Sequence, residues 1–238
     1  MNDPTRKLLA LDIEWAPTKA YVWRAWDENI GPDQIIDHGH MLCFCATWVG
    51  SKEFLFFSEW TDGRKGMAQA ALDLMTDADA IITYNGDKYD IPKLRGEILL
   101  AGLSPPPIPT SIDCLKAVKR FGFMMNRLAY IGPLLGAGGK VKHQGFKLWK
   151  EVLDGDPKAQ KVMTKYCIQD VRMLVKLYEK IKAFIPNHPF LGTKKHDCGS
   201  CGKGPVQKRG VRRTKSFIIQ RLQCQNCGAW QDGTRTKV

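Results

Sequence analysis

Residues 7–14 read KLLALDIE, an apolar run that ends on two carboxylates one residue apart. Polar residues precede the run and Pro17 follows it, which predicts a short central strand buried on both faces of its sheet. Side chains at i and i+2 of a strand point to one face, so Asp12 and Glu14 present their carboxylates side by side. Such a pair can hold hard divalent cations, because magnesium and manganese prefer oxygen ligands and keep positions open for water and phosphate.

Beyond this strand, AYVWRAW (Ala20–Trp26) is aromatic-rich and extended in character, and DENIGPDQ after it is loop-like. MLCFCATWV and EFLFFSEW, on either side of Gly50 and Ser51, predict an antiparallel hairpin, since aromatic and β-branched runs around a small polar turn favour that pairing. Met67–Met75 has helical periodicity, Ala80–Tyr84 is a short strand ending at Asn85 and Gly86, and Tyr89–Ala101 is a helix stopped by Gly102 and Ser104–Pro107. Asp113–Gly122 is expected to be a basic helix with Asp113 as its N-cap, and glycine-rich Gly136–Lys147 a mobile loop. Asp156 and Pro157 then supply an N-cap and first-turn proline for a helix running to Phe184. Pro186, Asn187, His188 and Pro189 break it, dividing the chain into residues 1–186 and residues 187–238. The order strand, hairpin, helix, strand describes an α/β fold.

Within 238 residues, 44% hydrophobic content is enough for a sizeable core. The formal charge of +12 is uneven: Leu191–Val238 holds eleven Lys/Arg against two Asp/Glu, so +9 of it lies there. A short segment this basic is a footprint for a polyanion, of which nucleic acid is the commonest. No stretch approaches the roughly 18 apolar residues of a membrane span, and no signal-peptide core follows Met1–Lys7, so a cytosolic protein without membrane contact is expected.

Cys43, Cys45, Cys114 and Cys167 sit in apolar segments as small hydrophobes, whereas Cys198, Cys201, Cys224 and Cys227 form two CxxC knuckles 22 residues apart. Four thiolates make a closed tetrahedral zinc site, structural rather than catalytic, and His196 is not needed as a ligand. Such a segment is too small to fold by burial alone, so the metal supplies much of its folding free energy. QKRGVRRTKSFIIQRLQ between the knuckles reads as a basic β-hairpin with Lys208, Arg209, Arg212, Arg213, Lys215 and Arg221 available for phosphates. Phe217 and Trp230 are candidates to stack on bases or to pack on the ribbon. In the larger domain, Lys140, Lys142, His143 and Lys147 are candidate contacts to a substrate strand. Tyr21, Trp23 and Trp26 form either a stacking platform for unpaired bases or, as such alternation more often does, core.

Two further motifs join Asp12 and Glu14: ITYNGDKYDIPKL with Asp90, and YCIQDV with Asp170. In a two-metal mechanism, cations about 3.5–4 Å apart clamp a scissile phosphate between carboxylates. Asp12 would bridge both, Glu14 would hold one, and Asp90 and Asp170 would close the site from two helices. Tyr166 lies four residues before Asp170, on the same helix face, where its hydroxyl can orient the attacking water. Asp87 is left as a loop or cap residue, and Asn85 is a candidate contact to a phosphate or terminal sugar unless turn chemistry alone explains it.

DIE, YNGDKYD and YCIQD resemble the three motifs of the DEDD superfamily of 3′-to-5′ exonucleases, in the tyrosine branch typical of family B DNA polymerase proofreading domains. The histidine branch would have His where this chain has Lys165. The resemblance implies an RNase H-like fold, a mixed five-stranded sheet flanked by helices, to which the four-cysteine zinc ribbon is added. YVWRAWDENIG, IDCLKAV, LWKEVLDGDPKA and the C-terminal cysteines further resemble stand-alone phage-type proteins, which implies the cytosol of a bacterium or phage-infected host. No polymerase domain is expected in a chain of this length, so any proofreading role, with a replication or repair partner, would act in trans. The expected function is a two-metal (Mg²⁺ or Mn²⁺) 3′-to-5′ exonuclease on single-stranded or frayed DNA ends. The alternatives are an RNA exonuclease, a structure-specific nuclease using the same site, and a non-catalytic zinc-ribbon protein that binds nucleic acid.

Overall fold

A computed structural model of the protein describes residues 6–108, 110–186, 188–194 and 196–238. Met1–Thr5 of the polar N-terminal segment and Asn187 of the helix-breaking stretch lie outside them. In chain order the elements are β1 (Leu8–Trp15), β2 (Lys19–Ala20), β3 (Ile35–Asp37), β4 (Met41–Trp48), β5 (Leu55–Ser58), α1 (Glu59–Asp77), β6 (Ala80–Thr83), α2 (Asp90–Leu100) and β7 (Thr110–Asp113). There follow α3 (Cys114–Val118), α4 (Leu128–Leu134), α5 (Phe146–Leu153), α6 (Pro157–Ile181), and β8 (Val206–Arg213), β9 (Phe217–Cys224) and β10 (Trp230–Lys237).

The large sheet has the order β5-β4-β1-β6-β7, with β5, β4 and β1 antiparallel and β6 and β7 added in parallel. It is the mixed five-stranded sheet expected, with β1 at its centre. The period of two along β1 divides the core. Leu9, Leu11 and Ile13 pack with Met67, Ala71 and Met75 of α1 and Leu94 and Ile98 of α2. Leu8 and Ala10 pack on the other face with Met163, Cys167, Val171 and Leu174 of α6. Asp12 and Glu14 continue this second row, toward the helix that carries Tyr166 and Asp170. Each fully buried aliphatic side chain contributes about 1.5–3 kcal/mol, so the register of β1 is strongly fixed and its two carboxylates are held to one side.

Several local expectations need correction. Asp113 does not open a long basic helix: it ends β7, and the helix is the short α3, followed by a 3₁₀ turn at Lys119–Phe121 and a left-handed Gly122 (φ 68°). Its capping role stands, since its carboxylate accepts the Leu115 amide at 3.0 Å. The glycine-rich loop closes at Gly145 because Phe146 already begins α5. α1 starts eight residues before the predicted helix and bends at Gly63 (φ 67°). In AYVWRAW only Ala20 belongs to a strand, and Tyr21, Trp23 and Trp26 are exposed, not core. α6 keeps the predicted cap: Asp156 accepts the amides of Lys158 (2.7 Å) and Ala159 (3.4 Å).

β8, β9 and β10 form a separate antiparallel sheet of order β10-β9-β8 around the small buried cluster Cys198, Cys224 and Ala229. Among the described residues no helix is long and apolar enough to cross a membrane.

Candidate active site and metal centre

Three elements bring the acidic motifs together. β1 supplies Asp12 and Glu14, the first residue of α2 supplies Asp90, and α6 supplies Tyr166 and Asp170. Glu14, Asp90 and Asp170 are 8%, 4% and 3% exposed, so three ionisable side chains share a site with little water. The Asp90 carboxylate accepts the Ile13 amide at 3.1 Å, which joins α2 to the strand between the two β1 carboxylates. Burial raises Asp12 well above the usual carboxylate range, and the charges of Asp90, Glu14 and Asp170 add to it. Burial, then Asp170, pushes Glu14 up to about 8, and burial pushes Asp90 up to about 6. Four carboxylates that repel one another in a poorly hydrated place are unfavourable alone and call for cations.

Lys140 supplies one positive charge. Its ammonium donates to Asp170 Oδ2 at 2.5 Å and to the Tyr166 hydroxyl at 3.0 Å. Burial would lower this lysine, but the Asp170 carboxylate more than offsets that and leaves it raised. Asp170 Oδ1 is fully buried with no hydrogen-bond partner. An unpartnered buried carboxylate oxygen is costly, and it fits a divalent-cation ligand in a set composed of oxygens. The Cys167 thiol, read from sequence as a small buried hydrophobe, also lies here. Its sulfur and carboxylate oxygens of Asp12 and Glu14 fall within 4.8 Å of one another, and it donates to the Asp12 carbonyl at 3.7 Å.

The rim is aromatic. The His143 ring packs edge-on against Tyr166 (4.8 Å between centroids) and Trp149 (5.3 Å), so the glycine-rich loop lies over the tyrosine. Lys93, one helical turn after Asp90, sits 3.5 Å over the Trp15 ring and 4.7 Å over that of Tyr89. Trp15, Tyr89, Lys93, Phe146 and Trp149 line a cleft of 540 Å³ beside the cluster. Sequence reading missed this cleft, although adjacency was a signal for part of it: Trp15 follows Glu14 and Tyr89 precedes Asp90. The turn before α2 is tightly built. Asn85 has φ 74°, its amide donates to Asp113 at 2.8 Å, and a Cβ on Gly86 would lie 2.3 Å from the Thr83 side chain. Asp87 is tied to Ser111 and Lys116, which hold it below its usual range despite partial burial. Of the loop cations, Lys140 alone reaches the acidic cluster among the described contacts; Lys142 is exposed and Lys147 pairs with Glu151 at 3.4 Å.

At the C-terminus all four cysteine sulfurs lie within 4.8 Å of one another, with Cys198–Cys227 at 3.6 Å and Cys201–Cys224 at 3.8 Å. These are not disulfide distances. A tetrahedron with metal–sulfur bonds of about 2.3 Å has edges near 3.8 Å, so the four thiols have the spacing of a closed zinc site. Lys208, Arg209, Arg212, Arg213, Lys215 and Arg221 are all exposed. Arg212 is engaged by Asp232 in a two-point pair (2.7 and 3.2 Å), and the Arg221 guanidinium lies 4.4 Å over Trp230. Lys208, Arg212 and Arg221 share a hollow of 1010 Å³ with Trp230, Phe190 and His188, whereas Arg209, Arg213 and Lys215 do not line it.

A mixed sheet with carboxylates converging from its central strand and two helices defines a class, that of RNase H-like proteins. Residues 35–182 match the family model of the RNase H superfamily, and the chain belongs to it. That match takes in Asp90, Tyr166 and Asp170 but starts after Asp12 and Glu14. Among solved structures the chain is similar to RNase D of Trypanosoma brucei, at 14% identity and a TM-score of 0.48, over 73% of this chain. The likeness spans 56% of that protein, little more than half its length. No curated protein matches the chain.

Proposed function

We propose that the protein is a metal-dependent 3′-to-5′ exonuclease of the tyrosine-bearing DEDD type, acting on single-stranded or frayed DNA ends. The observation that carries the reading is the Asp12–Glu14 pair at metal-ligand spacing, with Asp90 bonded to the intervening Ile13 amide and an unpartnered buried oxygen on Asp170 of the helix packed on the same face. Asp12, Glu14, Asp90 and Asp170 would hold the divalent ions. Magnesium or manganese bound there would neutralise the carboxylates and polarise the scissile phosphodiester.

The remaining side chains have roles set by their contacts. Burial, then the Asp170 charge, raises Tyr166 above the ordinary tyrosine range, so its hydroxyl stays protonated at neutral pH and orients water instead of abstracting a proton. The Lys140 ammonium, bonded to both Tyr166 and Asp170, fixes that hydroxyl and sets a positive charge where a substrate phosphate needs one. Residues 187–238 act as a zinc-held ribbon whose exposed basic residues grip the phosphate backbone without reading sequence.

The test is digestion of a 5′-labelled single strand with Mn²⁺, beside matched RNA and duplex. A ladder shortening from the 3′ end is expected, with Asp12→Asn and Asp170→Asn losing at least about a hundredfold in rate while keeping wild-type circular dichroism. Normal digestion by either variant removes the site. Internal cuts or degradation confined to RNA would replace the exonuclease or DNA assignment.

A further inference from the structure

The segment between β1 and β4 displays side chains that hydrolysis does not use. Tyr21, Trp23 and Trp26 are 76%, 94% and 82% exposed. Large aromatic rings each bury about 150–250 Å² when covered, so three left open within six residues point to an interaction surface. The backbone beneath them is held firmly. The Glu28 carboxylate accepts the amides of Trp23 (3.1 Å) and Arg24 (2.9 Å) and the Gln34 side-chain amide (2.8 Å). Gln34 also donates to the Tyr21 carbonyl at 3.0 Å and accepts the Gly31 amide at 2.7 Å, and the Tyr21 amide donates to the Gln34 carbonyl at 2.9 Å. A frame fixed this way lowers the ordering cost of a partner that meets the rings.

Continuity with the cleft and the chemistry of the rings indicate which partner. The segment starts directly after the strand that bears Asp12 and Glu14. Its residues Ala16, Pro17, Thr18 and His38 help line the 540 Å³ cleft that also holds Tyr89, the neighbour of Asp90. The three rings lie on the arm whose two ends, at Thr18 and His38, line that cleft. Between Pro17 and Gly39 there are two Lys/Arg against four Asp/Glu, so the segment offers a polyanion no electrostatic attraction. It offers π-faces, and every base has one, free in an unpaired strand and covered in a duplex.

We propose that Tyr21, Trp23 and Trp26 are a stacking platform for unpaired bases of the substrate strand, and that they make the enzyme prefer single strands over duplex ends. This rests on the nuclease reading above. The full-length Asp12→Asn protein, which binds without cutting, is compared with the same protein also carrying Tyr21→Ala, Trp23→Ala and Trp26→Ala. The probes are a single strand, its duplex, and a single strand with abasic sites, each across a salt series.

Loss of the rings should weaken single-strand binding about tenfold or more, leave duplex binding unchanged, and leave the salt slope unchanged, because no phosphate contact is removed. Abasic sites should weaken the parent by a similar factor and the triple variant no further. Equal single-strand affinity with and without the rings overturns the platform, as does an oligomer that dissociates in the triple variant while its DNA binding stays intact. If wild-type protein releases no nucleotides, the nuclease reading fails; if it does and the triple variant binds normally, only the platform fails.

Discussion

The carboxylate of Asp12 shows what the site costs the fold. With Asp12, Glu14, Asp90 and Asp170 all raised, Glu14 to about 8 and Asp90 to about 6, these four side chains hold more protons in the folded chain than in the unfolded one from the ordinary carboxylate range up to their raised values. Their contribution to stability is therefore full below the ordinary carboxylate range and is lost as pH rises through about 6 and then about 8. Metal-free protein should melt at progressively lower temperature over that window, and Mn²⁺ should raise the melting temperature more at the alkaline end than at the acidic end. Equal Mn²⁺ shifts at both ends, read in thermal scans, would argue against these four ligands. Asp12→Asn removes one carboxylate from the repulsive group, so at alkaline pH, where the group ionises, the metal-free variant should gain on the order of 1 kcal/mol while its turnover collapses. A variant that is both inactive and less stable would mean that Asp12 has a structural role.

At the scale of elements, legibility followed locality. α6 was readable end to end because its cap and its apolar stripe are both encoded by neighbours in sequence. Asp156→Ala should cost about 1 kcal/mol in urea unfolding, the usual loss for an N-cap, with little effect on the site. β7 was not readable: its four residues TSID carry one apolar side chain, and their strand state comes from pairing with β6. α4 was hidden for a similar reason, since it contains Gly132 and Pro133. Gly132 sits in a tight place: a Cβ on it would stand 3.0 Å from the Gly138 carbonyl and displace the flexible Met173 methyl, so Gly132→Ala should destabilise by about 1 kcal/mol, the lower end of overpacking costs. Denaturant midpoints for the two variants test both statements.

For the whole molecule, the question is how the ribbon and the larger sheet divide the work. Truncation after Pro189 should weaken binding to a single strand and flatten its dependence on salt, since each lost phosphate contact lowers the slope by about 0.7 for single strands. An unchanged slope would remove the ribbon from the substrate path. Replacing Cys224 with Ser should release zinc and unfold residues 198–237 while the larger sheet keeps its own melting transition, as calorimetry would show. Loss of both transitions together would mean that the two parts fold as one unit.

The sequence by itself determined what near neighbours decide: the face shared by Asp12 and Glu14, the extent of α6, the hairpin, and the paired cysteine knuckles. These follow from side-chain periodicity and turn chemistry over a few residues. Only the tertiary structure decided that Lys140 bonds Asp170 and Tyr166, that Cys167 lies against Asp12, and that Tyr21, Trp23 and Trp26 stay outside the core. Each of those outcomes depends on packing between segments far apart in the chain, and the spacing of residues along a polypeptide does not encode which distant surface will cover a side chain.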